Sequence, residues 1–357
     1  MKKKRTSASA GRSLILWILL IFLNGPFMAW SQQADWSVYK DRFLSPEGRI
    51  IDDGNQGVSH SEGQGYGLIL AQINEDREAF GRIWKWTQSN LRKRGDHLFA
   101  WKWAPAGADG AGVVEDKNNA TDGDLLIAWA LARAGAAWNN VEFQTSAREI
   151  AQDVRRTMVK PSRYGLILLP GGQGFVKPEG TIVNLSYWVY PAFRALAKID
   201  PSLDWSRLEQ SGLKLVEAAR FSPLNLPPDW LLLGKSSVDL AKGFEAAYGY
   251  NAVRIPLYLV WGGIRAAKYY ASFRQVGSSL NDGSPPAKVF LPSGKFDAEP
   301  ALQGMAAIYR LIAGTGDIAP ASPPAPYDGT SEGEKYYSVS LGLLTNCAAV
   351  ESPNMSR

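Results

Sequence analysis

The stretch from Ala120 to Trp138 constrains the fold more than any other part of this sequence. It reads ATDGDLLIAWALARAGAAW, and its apolar side chains recur at helical spacing around most of the circumference, which indicates a helix buried on most sides. Thr121 and Asp124 fit a capping box at its start. This capping box does not involve Asp122, so Asp122 has no evident structural role in the first turn. We therefore predict a buried helix whose first turn presents a carboxylate to a cavity.

Helical periodicity also dominates the rest of the chain, and strand-like alternation is sparse. The predicted helices are Trp36–Leu44, Gly65–Ile73, Arg77–Leu91, Asp122–Ala136, Ser146–Met158, Tyr187–Lys198, Trp205–Arg220, Asn251–Ala271, Pro300–Ile312 and Gly333–Leu344. Apolar helices rich in small residues alternate with amphipathic ones, as expected for an inner and an outer ring. Short extended segments at Gly165–Leu169 and Lys288–Leu291 are expected to form small β-hairpins or edge strands. The sequence thus predicts an all-α domain.

Polar residues at the starts of the apolar helices recur at similar intervals. Glu62, Asp122, Asn184 and Asn251 are separated by 60, 62 and 67 residues, about one helical hairpin plus loops. If each residue begins an inner helix, the four meet at one mouth of a helical toroid, where helix N-termini concentrate positive partial charge. Such a mouth is suited to a polar ligand. The alternative is that these are ordinary capping residues with fortuitous spacing.

The N-terminus has the pattern of an export signal. Basic residues at positions 2–5 precede an apolar run from Leu14 to Leu23, followed by small residues around Ala29 and Ser31. The run is shorter than the roughly 20 residues that span a bilayer. We therefore predict a cleaved signal peptide over residues 1–31 and a single periplasmic or secreted domain over residues 32–357, with no stable membrane anchor after cleavage. An uncleaved anchor is the alternative.

Charge and cysteine content exclude several classes of function. The leader contains five of the 39 Lys and Arg residues and none of the 34 Asp and Glu residues, so the rest of the chain is neutral overall. No basic stripe remains that argues for nucleic acid as a partner. The single cysteine, Cys347, rules out an internal disulfide, and His60 and His97 have no metal-ligand spacing. We expect neither a metal nor another cofactor.

The motif SEGQGYG at residues 61–67 places Glu62 among three glycines, which let backbone or a ligand approach closely. Together with Asp122 it suggests paired carboxylates, the groups that hydrolysis of a glycosidic bond requires. In an apolar mouth beside Tyr66 the pKa of Glu62 is predicted to be raised, which favours the role of general acid. The alternative is that Ser61 caps the helix and Glu62 is an ordinary acid of the first turn.

The aromatic content supports a sugar ligand. The chain has 13 Trp and 14 Tyr residues, and several of them stand next to polar loop residues. Flat rings with polar edges suit the faces of pyranose rings. The candidate sugar-binding aromatics are Trp101, Trp103, Tyr187, Trp230 and Tyr250, with core packing as the alternative for each.

The segments that carry these residues resemble those of glycoside hydrolase family 8. The matching segments are spread over most of the mature chain: Trp36–Asp53, Ser61–Gly67, Ala120–Trp138, Asn184–Tyr187, Asp229–Trp230 and Tyr250–Arg254. The resemblance implies an (α/α)6 toroid of six helical hairpins, a β-1,4-glucan substrate and an inverting mechanism. Glu62 would be the general acid, and Asp122 would hold the sugar at the cleavage subsite and favour its distorted ring.

The resemblance also implies a setting and further binding residues. The leader and the spacing are most similar to those of periplasmic members that act during bacterial cellulose synthesis, which makes the cellulose synthase complex a candidate partner. Tyr66 and Asn184 are expected to contact substrate with the aromatics named above. Arg254, one turn after Asn251, is expected to steady a carboxylate in the site.

One departure from the family pattern concerns the general base. The family's cellulases carry Asp where this sequence has Asn251, and an amide orients water but does not accept its proton. The nearest alternatives are Glu245, six residues upstream, and Asp239, twelve residues upstream.

Three functional hypotheses follow. The first is an exported, inverting endo-β-1,4-glucanase that acts during cellulose synthesis. The second is a weakly active or non-catalytic glucan-binding protein, because of Asn251. The third keeps the fold but changes the glycan to xylan, chitosan or mixed-linkage glucan.

Overall fold

The computed structural model describes residues 35–106, 111–202, 204–279, 284–313, 327–328 and 333–352. The predicted signal peptide, residues 1–31, lies outside the described residues. The helices in chain order are α1 (residues 35–43), α2 (Ser61–Ile73), α3 (Arg77–Leu91), α4 (Thr121–Ala137), α5 (Val141–Asp153), α6 (Tyr190–Ile199), α7 (Trp205–Ala218), α8 (Arg254–Trp261), α9 (Ala271–Ser278), α10 (Gln303–Ala313) and α11 (Tyr336–Glu351). A π-helical turn over Val154–Met158 continues α5.

An inner set of helices forms a closed ring. Helix α4 lies between α2 and α6, α6 packs on α8, and α11 closes the ring by contacting both α8 and α2. Outer helices cover this ring, with α3 against α2, α5 against α4 and α6, and α7 against α6. Helix α10 packs on α8, α9 and α11. The predicted alternation of inner and outer helices is therefore confirmed.

Burial follows the same division. Helix α4 is buried along nearly its whole length, whereas α5 buries only Ala147, Ile150, Ala151 and Asp153. The apolar run that the sequence presents in α4 is thus covered on all sides by neighbouring helices. In the part of the chain that the structure describes, no helix combines the length and the apolar character needed to cross a membrane.

Short antiparallel strands lie in the connections between the helices. They are β1 (Ser59–His60), β2 (Lys102–Pro105), β3 (Gly112–Val113), β4 (Val159–Ser162), β5 (Gly165–Leu168), β6 (Val176–Lys177), β7 (Gly180–Val183), β8 (Leu231–Gly234), β9 (Val238–Leu240), β10 (Ala247–Tyr248), β11 (Val289–Phe290) and β12 (Lys295–Phe296). The sheets have the orders β1-β2-β3, β4-β5, β6-β7-β8-β9 and β10-β11-β12. The predicted extended segments correspond to β5 and β11. The pairing of Ser59 with Trp103 ties the start of α2 to β2.

The predicted helix over Asn251–Ala271 is wrong. Helix α8 ends at Trp261, Gly262 follows as its C-cap, and Gly263 has a φ of 73°. A Cβ on Gly262 would lie 2.5 Å from the Cβ of Tyr190, so close packing on α6 requires glycine here. A separate helix, α9, then begins at Ala271, so the apolar periodicity of this region belongs to two helices rather than one.

Candidate active site

Glu62 lies in the first turn of α2, beside a histidine cap. His60 is the N-cap residue, and its Nδ1 accepts a hydrogen bond of 3.1 Å from the Gly63 N–H. Its Nε2 lies 3.3 Å from Asp52 Oδ2. The alternative in which Ser61 caps this helix is therefore wrong, because Ser61 is the first helical residue and its N–H donates to the Trp101 carbonyl at 3.0 Å.

Asp122 lies in the first turn of α4, next to the start of α2. It is only 1% exposed, and its Oδ1 accepts a hydrogen bond of 2.9 Å from the Gly123 N–H. A Cβ on Gly123 would lie 2.3 Å from Ser61 Oγ and 2.7 Å from the Glu62 nitrogen. Glycine at this position therefore lets the two helix starts approach closely, which places Asp122 beside Glu62.

The predicted capping box at the start of α4 is wrong. Ala120 is the N-cap residue and no side chain caps the helix. The Thr121 hydroxyl instead donates to the Leu169 carbonyl at 2.7 Å, and Asp124 accepts hydrogen bonds from the Phe99 N–H and from Asn119 Nδ2 at 2.9 and 2.8 Å. Both side chains are used by neighbouring loops rather than by the helix end. Burial raises the pKa of Asp124 to about 7.

Arg254 joins the polar residues of the inner helices. Its Nη1 contacts Glu62 Oε2 and lies 3.3 Å from Asp122 Oδ2, and its Nη2 donates to Asn251 Oδ1 at 2.9 Å. Asn184 Nδ2 donates to the same Asn251 oxygen at 3.1 Å. The expectation that Glu62, Asp122, Asn184 and Asn251 gather at one mouth is therefore confirmed. The guanidinium, only 2% exposed, is their common partner.

The two carboxylates differ in their tendency to hold a proton. Burial and the neighbouring Glu62 raise the pKa of Asp122 well above its usual value. Burial also acts to raise the pKa of Glu62, but Arg254 and His60 more than offset this, and the pKa of Glu62 is lowered. Two carboxylates this close do not both ionise. These opposite directions favour the proton on Asp122 and the charge on Glu62.

The prediction that the pKa of Glu62 is raised is thus wrong. The local sequence shows an apolar mouth and Tyr66, both of which disfavour the ionised form. It does not show that Arg254, 192 residues further along the chain, folds directly against the carboxylate. Burial is the largest single influence on the pKa of Glu62, but Arg254, His60 and the hydrogen bond with Asp122 together outweigh it.

The orientation of the Asn251 amide is determined by its neighbours. Asn184 Oδ1 accepts hydrogen bonds from the Ser186 N–H at 3.0 Å and from the Ser186 hydroxyl at 2.7 Å, so the other end of the Asn184 amide is a donor. That donor and Arg254 both point at one atom of Asn251, which must be its oxygen. The other end of the Asn251 amide, Nδ2, is therefore a donor, and it has no hydrogen bond to a described residue.

Asp229 is a neighbour of Asn251 that the sequence interpretation missed as a site residue. Its Oδ1 accepts hydrogen bonds from the N–H groups of Gly249, Asn251 and Ala252 at 3.0, 3.2 and 2.7 Å. The side chain is half-buried. The sequence places Asp229 next to Trp230 but gives no local signal that it folds beneath the loop that carries Asn251.

The aromatic candidates before α4 have different environments. Trp101 is 37% exposed, and its Nε1 donates to Asp116 at 2.9 Å. Trp103 is buried, packs edge-on against Trp86 and lies beneath Arg49. The prediction that Trp103 contacts a ligand is therefore wrong, because its ring is packed in the core, whereas Trp101, which precedes β2, is exposed.

Trp230 is also not available for stacking on a sugar. Phe175 stacks on it at a centroid distance of 5.7 Å, and Phe244 stacks on it at 4.5 Å. Tyr187 contacts its edge at 6.3 Å. The prediction of Trp230 as a stacking platform is corrected to a sheet-packing role, because neighbouring rings cover its faces.

The predicted tyrosines divide into support and lining residues. Tyr66 is fully buried, and its hydroxyl lies 3.1 Å from Arg254 Nη1 and 3.2 Å from the Tyr258 hydroxyl. It positions Arg254 and has no surface for a ligand, so its predicted contact with substrate is wrong. Tyr187 and Tyr250 are each half-buried.

The two carboxylates proposed from the sequence as alternative bases lie on the surface. Glu245 is exposed and forms an ion pair of 3.1 Å with Lys288. Asp239 is exposed on β9 and accepts a hydrogen bond of 2.5 Å from Ser237. Neither contacts Arg254, Asn251 or either buried carboxylate. Their predicted role as base is therefore not supported, because nearness in sequence to Asn251 does not place them in the cleft.

The model of glycosyl hydrolases family 8 matches residues 13–350. The chain belongs to this family. It is a glycoside hydrolase, and its ring of inner and outer helices is the family's (α/α)6 toroid. A probable endoglucanase of Novacetimonas hansenii is 35% identical over 321 residues, which cover 88% of this chain and 90% of that protein.

Two solved structures of glycoside hydrolases extend the likeness to the fold. The endo-β-1,4-glucanase CMCax of Acetobacter xylinum superimposes with a TM-score of 0.82 at 34% identity, covering 90% of this chain and 98% of the other. The endoglucanase Cel10 of Klebsiella pneumoniae, a family 8 glycosyl hydrolase, gives 0.81 at 33% identity, covering 89% and 99%.

Proposed function

We propose that this chain is an exported, inverting endo-β-1,4-glucanase. The observation that carries the proposal is the Glu62–Asp122–Arg254 cluster at the starts of two inner helices. The similar proteins from Novacetimonas hansenii, Acetobacter xylinum and Klebsiella pneumoniae are named as endoglucanases. Glycosidic hydrolysis requires a protonated carboxyl group for the leaving oxygen, and two adjacent carboxyl groups retain such a proton more readily than one.

In this proposal Glu62 protonates the departing glycosidic oxygen. Its side chain is 17% exposed, whereas that of Asp122 is 1% exposed, so Glu62 is the member of the pair that faces substrate. Asp122 supplies the shared proton when Glu62 leaves the contact with Arg254 for the glycosidic oxygen. Asp122, then ionised, holds the sugar at the cleavage subsite and favours its distorted ring.

The binding surface is assigned to the partly exposed residues around the cluster. Trp101 lies at the start of α2, because its carbonyl accepts the Ser61 N–H at 3.0 Å. Tyr187 and Tyr250 are half-buried. These three rings are proposed to contact pyranose faces, and Asn251 is proposed to orient the attacking water through its Nδ2.

The direct test measures reducing ends released from carboxymethyl-cellulose and the anomer formed first from a cello-oligosaccharide. Release with formation of the α-anomer is expected, since inversion at a β-linkage gives that product. Robust binding of cello-oligosaccharides without turnover would instead favour a glucan-binding protein, the alternative that the Asn251 amide supports. Parallel assays on xylan, chitosan and mixed-linkage glucan determine which glycan is preferred. They are needed because aromatic contacts do not distinguish the substituents on the second carbon of the sugar.

We further propose that the enzyme acts on nascent glucan during bacterial cellulose synthesis, with the synthase complex as a partner. The export signal and the family resemblance support this setting. The test is the cellulose made by a strain that carries Glu62→Gln in place of the native residue. Fibrils and yield identical to those of the parent strain would contradict it.

A further inference from the structure

The cleft contains a carboxylate that the mechanism so far leaves unused. Asp229 Oδ1 is held by three backbone N–H groups, but its Oδ2 receives no hydrogen bond from the residues that the structure describes. That oxygen is not sealed from solvent either, because it is absent from the buried, unpartnered polar atoms. Asp229 thus combines a fixed carboxylate with one open acceptor oxygen.

Asp229 is joined to the acid by a continuous series of contacts. Glu62 contacts Nη1 of Arg254, Nη2 of Arg254 donates to Asn251 Oδ1, and the backbone N–H of Asn251 donates to Asp229 Oδ1 at 3.2 Å. Asp229 is therefore connected to the proposed acid through Asn251 and Arg254. Inverting hydrolysis requires a second carboxylate separated from the acid by enough space for a water molecule.

Asn251 and Asp229 offer complementary groups to that water. The Nδ2 of Asn251 is a donor with no hydrogen bond to a described residue. The Oδ2 of Asp229 is an acceptor that likewise has no hydrogen bond to a described residue. A water molecule between them accepts from the first and donates to the second. Asn251 thus lies beside a carboxylate that is able to accept a proton, which the amide does not do.

We propose that Asp229 is the general base of this enzyme and that Asn251 orients the water that Asp229 deprotonates. The assignment rests on the proposed glycosidase function. In the step, the water oxygen forms a bond to the anomeric carbon and the bond from that carbon to the glycosidic oxygen breaks. The proton of Glu62 passes to the departing oxygen, and one proton of the water passes to Asp229 Oδ2. The two carboxyl groups return to their starting states by proton exchange with solvent.

The electrostatic environment supports this role. Burial raises the pKa of Asp229, while the three N–H groups and Arg254 act in the opposite direction and limit the rise. A base with a raised pKa is a better proton acceptor while it is ionised.

The test compares four proteins on carboxymethyl-cellulose: wild type, Asp229→Asn, Asn251→Asp and the double variant. Asn at position 229 retains an oxygen for the three backbone N–H groups, so the fold is preserved. We expect Asp229→Asn to lower kcat by at least about 10²-fold. Adding Asn251→Asp is expected to restore most of it, since Asp at 251 holds one oxygen against Asn184 and Arg254 and frees the other. The matched control is Asp41→Asn, an exposed acid on α1.

A second measurement separates a base from a merely structural carboxylate. In Asp229→Ala, azide is expected to replace the activated water and to give the α-glycosyl azide, because azide attacks without a base. Turnover of Asp229→Asn within threefold of wild type would overturn the assignment. So would a loss of turnover that neither Asn251→Asp nor azide recovers. Absence of turnover in the wild-type protein would overturn the proposed function itself. That outcome is recognised from the wild-type measurement without reference to the variants.

Discussion

The two ends of the cleft are built differently. At the acid end, Glu62, Asp122 and Arg254 are mutually paired and the guanidinium is 2% exposed. At the water end, Asn251 and Asp229 are half-buried, and each has one polar atom with no hydrogen bond to a described residue. The comparison shows that the groups around Glu62 are partnered within the protein, whereas Asn251 and Asp229 each leave one polar group open to a further molecule.

The largest effect on activity is expected from removing Glu62, the proposed proton donor. Glu62→Gln keeps the size of the side chain but has no proton to give, so kcat/KM on carboxymethyl-cellulose is expected to fall by about 10²- to 10⁴-fold. An aryl cellobioside with an acidic leaving group needs no protonation and is expected to lose far less.

The matched control for this change is Glu78→Gln, because Glu78 has a side chain that is 87% exposed on the outer helix α3. Its activity is expected to equal that of the wild type. An equal loss on both substrates in Glu62→Gln would contradict the role of Glu62 as acid.

A smaller loss of activity is expected when Asp122 is replaced, together with a change in the pH dependence of activity. Asp122→Asn resembles the protonated carboxyl and preserves the fold, but it has no charge to hold the distorted sugar, so kcat is expected to fall by about 10²-fold. In the wild type the pair retains its last proton up to the raised pKa of Asp122. In the variant only the lowered pKa of Glu62 remains.

The basic limb of the pH profile of kcat/KM is therefore expected to shift to lower pH in Asp122→Asn. The sign follows from the loss of the proton reservoir: as pH rises, the acid form of Glu62 disappears earlier. A profile with an unchanged basic limb would show that the two carboxylates do not share a proton.

The water end is expected to depend more weakly on the residues that hold Asn251. Asn184→Ala removes one hydrogen bond of 3.1 Å to Asn251 Oδ1 and leaves the one from Arg254. A single hydrogen bond contributes about 1 kcal/mol, so a loss of about fivefold in kcat is expected. The measurement is initial rate at saturating substrate, with Asn90→Ala on α3 as control. An unchanged rate would mean that Arg254 alone fixes the amide.

The smallest effect on turnover is expected at the binding surface. Trp101→Ala removes an exposed ring and is expected to raise KM by roughly two- to tenfold, since one aromatic contact is worth about 0.5–1.5 kcal/mol. Trp103→Ala empties a buried position and is expected to cost about 3–5 kcal/mol of unfolding free energy without a specific rise in KM. Urea unfolding and steady-state kinetics separate the two variants. The reverse pattern would contradict the assignment of Trp101 to the surface and of Trp103 to the core.

Much of the fold was predictable from the sequence because it is repeated along the chain. Apolar helices with polar first turns recur about every 60 residues, and each occurrence reinforces the same interpretation. The ends of the elements were less predictable. Gly262 ends α8 because Tyr190 packs against it, and that contact joins residues far apart in the sequence.

The sequence by itself determined the inner and outer helices and the placement of Glu62 and Asp122 in the first turns of two inner helices, since these depend on periodicity and on short motifs. Only the tertiary structure decided the charge on Glu62, the buried position of Trp103 and the nearness of Asp229 to Asn251. The physical reason is that pKa, burial and hydrogen-bond partners are set by groups from distant segments. A residue's own neighbours in sequence carry little information about them.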